Sequence, residues 1–266
     1  ALPIYESWSS NIKIKQTLDT LTSYPNEFWK YPVIIYYICY RKDKNFEDKF
    51  ARFLNKLLAE LMTKYILIPT INAVKGDILK LNSAIVVSDI PKFDFKELDQ
   101  AQLEAGIQNP HRNVVRMLLK TLAYKHQDSL LPSKWEIEHI FPQKWQTNYF
   151  IDESDNKIRE KIEHIGNKLP FEKKLNIIAG NGYFAKKKKE YAASKIEITK
   201  VMGLSEIQEW NLESISKRDI RISDSIIAIL KKWNKEYSVI TKEIVSNKPS
   251  DEDLARIAEF KDKGWI

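Results

Sequence analysis

Apolar residues in the first half of the chain recur at spacings of three and four, a pattern that restricts this half to helices. Those that mark one face of an amphipathic helix are Phe46, Phe50, Phe53, Leu54, Leu57, Leu58 and Leu61. Further helices are predicted over residues 72–83, 97–107 and 113–126. Residues 85–87 fit either a brief strand or a helix end. Glycine (7) and proline (10) are scarce among the 266 residues, so a turn-rich β architecture is disfavoured.

A short alternating segment follows at residues 135–140, where Trp, Glu, Ile, Glu, His and Ile succeed one another. Alternation of this kind predicts a β-strand, and Pro142 predicts that the strand ends soon afterwards. In a regular strand Glu138 and His139 would point to opposite faces. Both can therefore reach one site only if the strand ends or bends at that point.

A return strand and a helix are predicted beyond a turn at Gly166-Asn167. Residues 168–171 fit the second strand. Residues 174–194 fit a helix that is interrupted around residues 179–182. A final helical bundle is predicted over residues 205–211, 215–236 and 250–260.

The residue types around these strands are those that a one-metal phosphodiesterase needs: Glu138, His139, Asn167 and Asn176. An imidazole can take a proton from water near neutral pH, and carboxylate and amide oxygens can hold a magnesium-type ion against a phosphate. His164 offers a comparison, because residues 162–165 repeat the tetrapeptide of residues 137–140 but lack the Pro-Gln that follows His139. We expect His164 to be structural or exposed on a loop.

The net charge of +7 is concentrated beside these residues. Between Lys168 and Lys200 nine lysines stand against three glutamates, which accounts for nearly all of the excess. A lysine run is usually a solvated helix face. Next to a site that cleaves phosphates, however, it supplies a salt-sensitive attraction to a polyanion, and we predict that role here.

The single cysteine, Cys39, excludes a disulfide framework and a thiolate zinc site within one chain. Its place in the apolar run of residues 33–40 predicts a buried thiol. That run is far shorter than the roughly 20 residues of a membrane span, and no signal-peptide pattern opens the sequence. We therefore predict a cytoplasmic protein with no membrane partner.

The predicted order of elements is strand, loop, strand and helix, with a histidine on the first strand and asparagines in the loop and helix. This order resembles the ββα-metal or HNH nuclease motif. The residues from Glu138 to Ser194 give a more specific resemblance. It resembles the C-terminal HNH domain of the GmrSD-type family of modification-dependent restriction and phage-defence proteins. Trp210, Ile215 and Arg218 resemble that family's closing segment more loosely. Residues 168–170 depart from the usual Leu-Thr-Leu, so a short or irregular second strand is expected.

The resemblance implies a role for each matching residue. His139 would be the general base, and Asn167 would brace the loop and orient the histidine. Glu138, where many HNH enzymes carry aspartate, would ligate one Mg²⁺ or Mn²⁺ ion. Asn176 would complete the metal site, with Asn181 as the rival for that place. The implied nucleic-acid contacts are Lys173, Lys174, Lys186, Lys187, Lys188, Lys189 and Arg218.

The expected fold class is mainly α. A helical scaffold would span residues 1–128, the nuclease motif residues 129–200, and a helical region packing on it residues 201–266. The resemblance implies a metal-dependent DNA endonuclease or nickase that acts on phage DNA, including DNA with modified bases, in a bacterial or archaeal cell.

The family's N-terminal ParB-like nucleotidase module carries an Asp-Gly-Gln-Gln-Arg type loop that this sequence lacks. The chain would then be the C-terminal portion of such a protein or a standalone relative. Two alternatives stay open. One is a nucleic-acid-binding module whose HNH site is degenerate or depends on a partner, and the other is an RNA-directed nuclease.

Overall fold

The computed structural model describes residues 10–95, 99–146, 154–243 and 251–262. These residues are mainly helical with one small sheet, which confirms the predicted fold class. The α-helices are α1 (Ile12–Leu21), α2 (Lys30–Tyr40), α3 (Phe46–Leu67), α4 (Lys75–Val87), α5 (Gln100–Gln108), α6 (Arg112–His126), α7 (Asp155–Ile162), α8 (Lys173–Ala179), α9 (Phe184–Ala192), α10 (Glu197–Leu204), α11 (Leu212–Glu243) and α12 (Asp251–Asp262). The strands are β1 (Trp135–His139) and β2 (Lys168–Glu172), and 3₁₀ turns lie at Ile71–Val74 and Ile165–Asn167. No described helix is both long and apolar enough to cross a membrane.

Most of the predicted elements form where the spacing of apolar residues places them. Residues 85–87, which fitted a strand or a helix end, are the last residues of α4. The helix predicted over 205–211 is wrong, because α10 ends at Leu204 and the next seven residues are not helical. Helix α7 was not predicted. Positions 97, 98 and 250 of two predicted helices lie outside the described residues.

The chain divides into two compact units, and residues 1–100 together with 228–266 form the first. In this unit α2 packs against α4, and α1 packs against α3. Aromatic rings fill its core; Tyr36 stacks on Phe53 with ring centroids 4.2 Å apart. Cys39 is buried, as its apolar surroundings predict.

The second unit, residues 101–227, contains both strands. β1 pairs antiparallel with β2, so that Glu138 lies opposite Leu169 and His139 lies opposite Lys168. The core beside the sheet is made of buried side chains from β2, α7, α9 and the chain that follows β1: Ile140, Phe141, Ile158, Ile162, Leu169, Phe171, Phe184 and Tyr191. This packing fixes the end of β1, where the candidate site lies.

Gly166 allows the turn before β2 to lie directly against α11. A Cβ at this position would come 2.2 Å from the carbonyl oxygen of Ile215 and 2.6 Å from a carboxylate oxygen of Asp219. Gly166→Ala must push these segments apart, and we expect the free energy of unfolding to fall by about 1–3 kcal/mol. Urea unfolding followed by circular dichroism measures this change.

Gly76 provides the matched control, because a Cβ there would meet nothing within 4 Å. Gly76 lies in α4, where alanine favours helix over glycine by up to about 1 kcal/mol. Gly76→Ala should therefore leave stability unchanged or raise it. Equal unfolding curves for the two variants would show that the approach of the turn to α11 is not a constraint.

Candidate active site

Several of the predicted site residues line one cavity in the second unit. The cavity has a volume of about 260 Å³, and its walls include Glu138, His139, Asn176, Asn181 and Lys187. β1 ends at His139. For this reason two consecutive residues, which a regular strand would point to opposite faces, both reach the same space.

Glu138 is held by a hydrogen bond and an ion pair at one of its two oxygens. Its Oε1 accepts a hydrogen bond from the hydroxyl of Tyr191 at 2.7 Å and lies 2.6 Å from Nζ of Lys187. Burial lowers the pKa of Lys187, and the adjacent Glu138 opposes that change. Burial, with Glu138 as a further cause, raises the pKa of Tyr191, so the phenol remains a donor. The other oxygen, Oε2, accepts no hydrogen bond from the described residues.

His139 lies beside the carboxylate of Glu163, which no local sequence pattern indicates as a site residue. Nε2 of His139 lies 3.4 Å from each oxygen of this carboxylate. Nζ of Lys187 donates to the backbone carbonyl of His139 at 2.5 Å. The second ring nitrogen, Nδ1, has no partner within the described part of the chain. The ring is thus oriented through Nε2, which leaves Nδ1 available.

Asn167 is fully buried and joins three segments of the chain. Its Nδ2 donates to the carbonyl oxygens of Phe141 and Ile162, each at 3.0 Å. Its Oδ1 accepts from the backbone N–H of Phe141 at 2.7 Å and from the indole of Trp210 at 3.2 Å. Asn167 is not part of the cavity wall. The side chain therefore braces the backbone that leaves β1 and does not face a substrate.

Asn176 and Asn181 differ in how their amide groups are used. Nδ2 of Asn176 donates to Glu136 at 3.1 Å, and its Oδ1 has no donor among the residues described. Asn181 uses both ends of its amide on the backbone of Lys144: Oδ1 accepts at 3.3 Å and Nδ2 donates at 2.7 Å. The geometry favours Asn176 as the residue with an oxygen left for a ligand.

The donor set of the cavity fits one hard divalent ion that also takes oxygens from water and substrate. Glu138 Oε2 and Asn176 Oδ1 are oxygens of the kind that Mg²⁺ and Mn²⁺ prefer, and Mg²⁺ commonly binds through one or two protein oxygens plus phosphate. The described residues contain no group of three or more His, Cys, Asp or Glu that could hold a metal. The protein alone would therefore supply few ligands, and the phosphate would complete the shell.

Some of the lysines that were predicted to bind nucleic acid are exposed, and others are held by contacts within the protein. The exposed ones are Lys173, Lys174, Lys186 and Lys189. Lys187 is buried in the cavity wall, and Lys188 donates to the carbonyl oxygens of Ser205 and Ile207 at 2.7 and 2.8 Å. Successive helical residues point about 100° apart, so four consecutive lysines cannot share one face.

Arg218 was also predicted to contact nucleic acid, but its side chain lies inside the protein. Nη1 donates to the carbonyl oxygens of Gly166 and Lys168 at 2.8 and 2.9 Å. Burial lowers the pKa of Arg218 to about 10, so the guanidinium is still charged at neutral pH. Arg218 therefore holds the turn before β2, because the buried carbonyl oxygens of this turn need a donor.

One of the comparisons with known proteins identifies the family of the chain. The sequence matches the family model described as "GmrSD restriction endonucleases, C-terminal domain" over residues 92–224, which is half of the chain. The chain belongs to this family, as its motifs predicted. No curated protein and no solved structure matches it. Membership of a restriction endonuclease family implies a nuclease role with DNA as the substrate.

Proposed function

We propose that this protein is a metal-dependent DNA endonuclease of the HNH type and that the cavity at the end of β1 is its active site. One observation carries the proposal: Asn176, which is distant in the sequence from Glu138 and His139, lines the same cavity of about 260 Å³. Membership of a restriction endonuclease family supports a nuclease that acts on DNA.

His139 is the general base in this proposal. Hydrolysis joins a water oxygen to phosphorus and breaks the bond from phosphorus to the 3′ oxygen, so the water must lose a proton. Nδ1 of His139 has no partner among the described residues and can accept that proton. The departing 3′ oxygen takes a proton from solvent.

Glu138 and Asn176 would hold the Mg²⁺ or Mn²⁺ ion through Oε2 and Oδ1. When bound, such an ion supplies positive charge to a non-bridging phosphate oxygen and to the leaving oxygen. Tyr191 and Lys187 fix the other oxygen of Glu138, which restricts rotation of the carboxylate. Asn167 keeps the backbone after β1 in place, so that His139 and Glu138 stay at one end of the cavity.

Plasmid cleavage by the purified protein tests the proposal. Supercoiled plasmid is incubated with the protein and Mg²⁺, Mn²⁺ or EDTA, and the amounts of nicked and linear plasmid are measured on agarose gels. We expect cutting with either ion and none with EDTA. RNA is offered in parallel, and cleavage of RNA alone would reject the DNA substrate.

Phage DNA with modified bases is compared with unmodified plasmid, and we expect the modified DNA to be cut faster.

One observation favours a second candidate, a nucleic-acid-binding module whose HNH site depends on a partner. Lys187 already neutralises Glu138, so the carboxylate attracts a metal ion less strongly than a free one would. A nucleotidase module of the ParB-like kind would be the partner that completes the site. DNA retardation on gels without cutting, at any Mg²⁺ or Mn²⁺ concentration, would support this candidate over the first.

The exposed lysines give a prediction about DNA affinity. Lys174, Lys186 and Lys189 are exposed and make no ion pair with a described residue. Changing all three to glutamine should lower DNA affinity and reduce the slope of log K against log salt by about 2–3, since each phosphate contact contributes roughly one. Fluorescence anisotropy with a labelled duplex at several salt concentrations measures the slope.

The matched control replaces Lys42, Lys44 and Lys75 of the first unit by glutamine, three exposed lysines with the same total charge. We expect the salt slope of this variant to stay near that of the wild type. A slope that falls equally in both variants would show that net charge matters and that the surface around α8 and α9 does not.

A further inference from the structure

The carboxylate of Glu163 contacts one of the two ring nitrogens of His139. Nε2 lies 3.4 Å from both Oε1 and Oε2 of Glu163, and the remaining nitrogen, Nδ1, is without a partner in the described residues. A neutral imidazole carries one proton. A carboxylate can only accept, so the contact favours the form in which that proton is on Nε2.

Two other side chains hold Glu163 in this position. Lys168, which is buried and lies opposite His139 across the sheet, donates from Nζ to Oε2 of Glu163 at 2.8 Å. Gln143 donates from Nε2 to Oε1 at 3.3 Å. The hydrogen bond with His139 is the main reason that the pKa of Glu163 lies well below its usual range; burial opposes this, and Lys168 adds to it. The group is therefore an ionised acceptor.

The backbone around Glu163 is fixed against α11 as well. The buried carboxylate of Asp219 accepts from Nζ of Lys161 and lies at hydrogen-bond distance from Nδ1 of His164, each at 2.8 Å. Its other oxygen accepts from the N–H of Gly166 at 2.7 Å. His164 is thus structural, as expected from the sequence, and the residues on both sides of Glu163 are anchored.

We propose that Glu163 is a positioning residue for His139: it accepts the Nε2–H, sets the tautomer, and keeps Nδ1 unprotonated and directed to the reacting water. This inference rests on the proposed function, in which His139 is the general base. Glu138 and Lys187 line the cavity together with His139, and Lys168 lies opposite His139 across the sheet. Among the described residues, the carboxylate in contact with Nε2 is that of Glu163.

The tautomer of His139 tests the inference without any cleavage assay. In ¹⁵N-labelled wild-type protein, long-range ¹H–¹⁵N spectra above pH 7.5, where a free imidazole is about nine-tenths neutral, distinguish the protonated nitrogen from the unprotonated one. We expect the His139 proton on Nε2. In Glu163→Ala and Glu163→Gln a mixture of the two forms is expected. The first variant removes the acceptor, and the amide of the second can donate as well as accept. A proton on Nδ1 in the wild type, or an unchanged tautomer in both variants, would overturn the inference.

Kinetics give the second readout. We expect both Glu163 variants to lower kcat by about 10–100-fold, with KM for DNA changed less than about twofold. This is the range seen when a partner that orients a metal-binding histidine is removed, and we expect the same for a histidine that acts as the base. Glu160→Gln, an exposed neighbour on α7, is the control and should cut at the wild-type rate. A raised KM at unchanged kcat would mean that Glu163 acts on DNA binding and not through His139.

The two proposals can fail separately. If His139→Ala abolishes cutting and the Glu163 variants cut like the wild type, the positioning role is rejected and the proposed function stands. If the wild type never cuts DNA, the proposed function is rejected, while the tautomer spectra still decide whether Glu163 orients the imidazole. Glu163→Gln keeps the size of the side chain, so this variant provides the test if Glu163→Ala does not fold.

Discussion

His139→Ala is expected to lower the rate of DNA cleavage by about 10²–10⁴-fold, the usual contribution of a general base. Its imidazole is the candidate proton acceptor in the cavity wall, and the water must lose its proton as the bond to phosphorus forms. The side chain lies near the surface, with 17% of its area exposed, so its removal should leave the fold intact. The measurement is the initial rate of plasmid nicking in Mn²⁺ with protein in excess.

His126→Ala is the matched control, because this histidine is exposed at the end of α6. We expect it to cut at the wild-type rate. The affinity of His139→Ala for a labelled duplex should change less than about threefold, since the exposed lysines are intact. Wild-type cutting by His139→Ala would place the general base elsewhere and would reject the cavity as the active site.

The second large effect is expected on stability. Lys187→Met leaves the carboxylate of Glu138, 7% exposed, without its cation. Breaking a buried ion pair by removing one partner costs about 3–5 kcal/mol, because the remaining charge is buried and uncompensated. We expect the free energy of unfolding in urea to fall by that amount. Removing the charge from both partners, in Glu138→Gln with Lys187→Met, should restore part of the loss.

Lys217→Met is the control for this experiment. Lys217 also forms an ion pair with a glutamate, Glu213, but its side chain is 66% exposed whereas that of Lys187 is 2% exposed. Exposed pairs of this kind contribute little, so the control should unfold like the wild type. A Lys187→Met variant as stable as the wild type would contradict the role of the ion pair in fixing Glu138.

The sequence predicts the elements of the site better than their contacts, because strands and helices are encoded locally. Alternation over residues 135–140 and the proline that follows place the end of β1 correctly. The break between α8 and α9 falls where Gly180 adopts a positive φ of 55°, which glycine tolerates best. Helix α7 was missed, since its eight residues contain only two buried apolar side chains, Ile158 and Ile162.

The partners of the site residues could not be predicted from local patterns. Glu163 is 24 residues from His139, and Asp219 is 55 residues from His164, so only the folded chain brings them together. The resemblance implied that Arg218 contacts nucleic acid, but its guanidinium donates to the backbone carbonyl groups of a turn that is distant in the sequence. The sequence could have predicted that Lys186–Lys189 do not all face solvent, because successive residues of a helix point about 100° apart.

The location of a bound Mn²⁺ ion tests most directly whether this cavity is the catalytic centre. Crystals of the protein with a DNA duplex, grown with Mn²⁺ and His139→Ala to prevent cutting, would show the ion by its anomalous scattering. We expect one strong peak between Glu138 Oε2, Asn176 Oδ1 and a phosphate oxygen. A peak on another part of the protein, with the cavity holding neither ion nor phosphate, would contradict the proposed nuclease site.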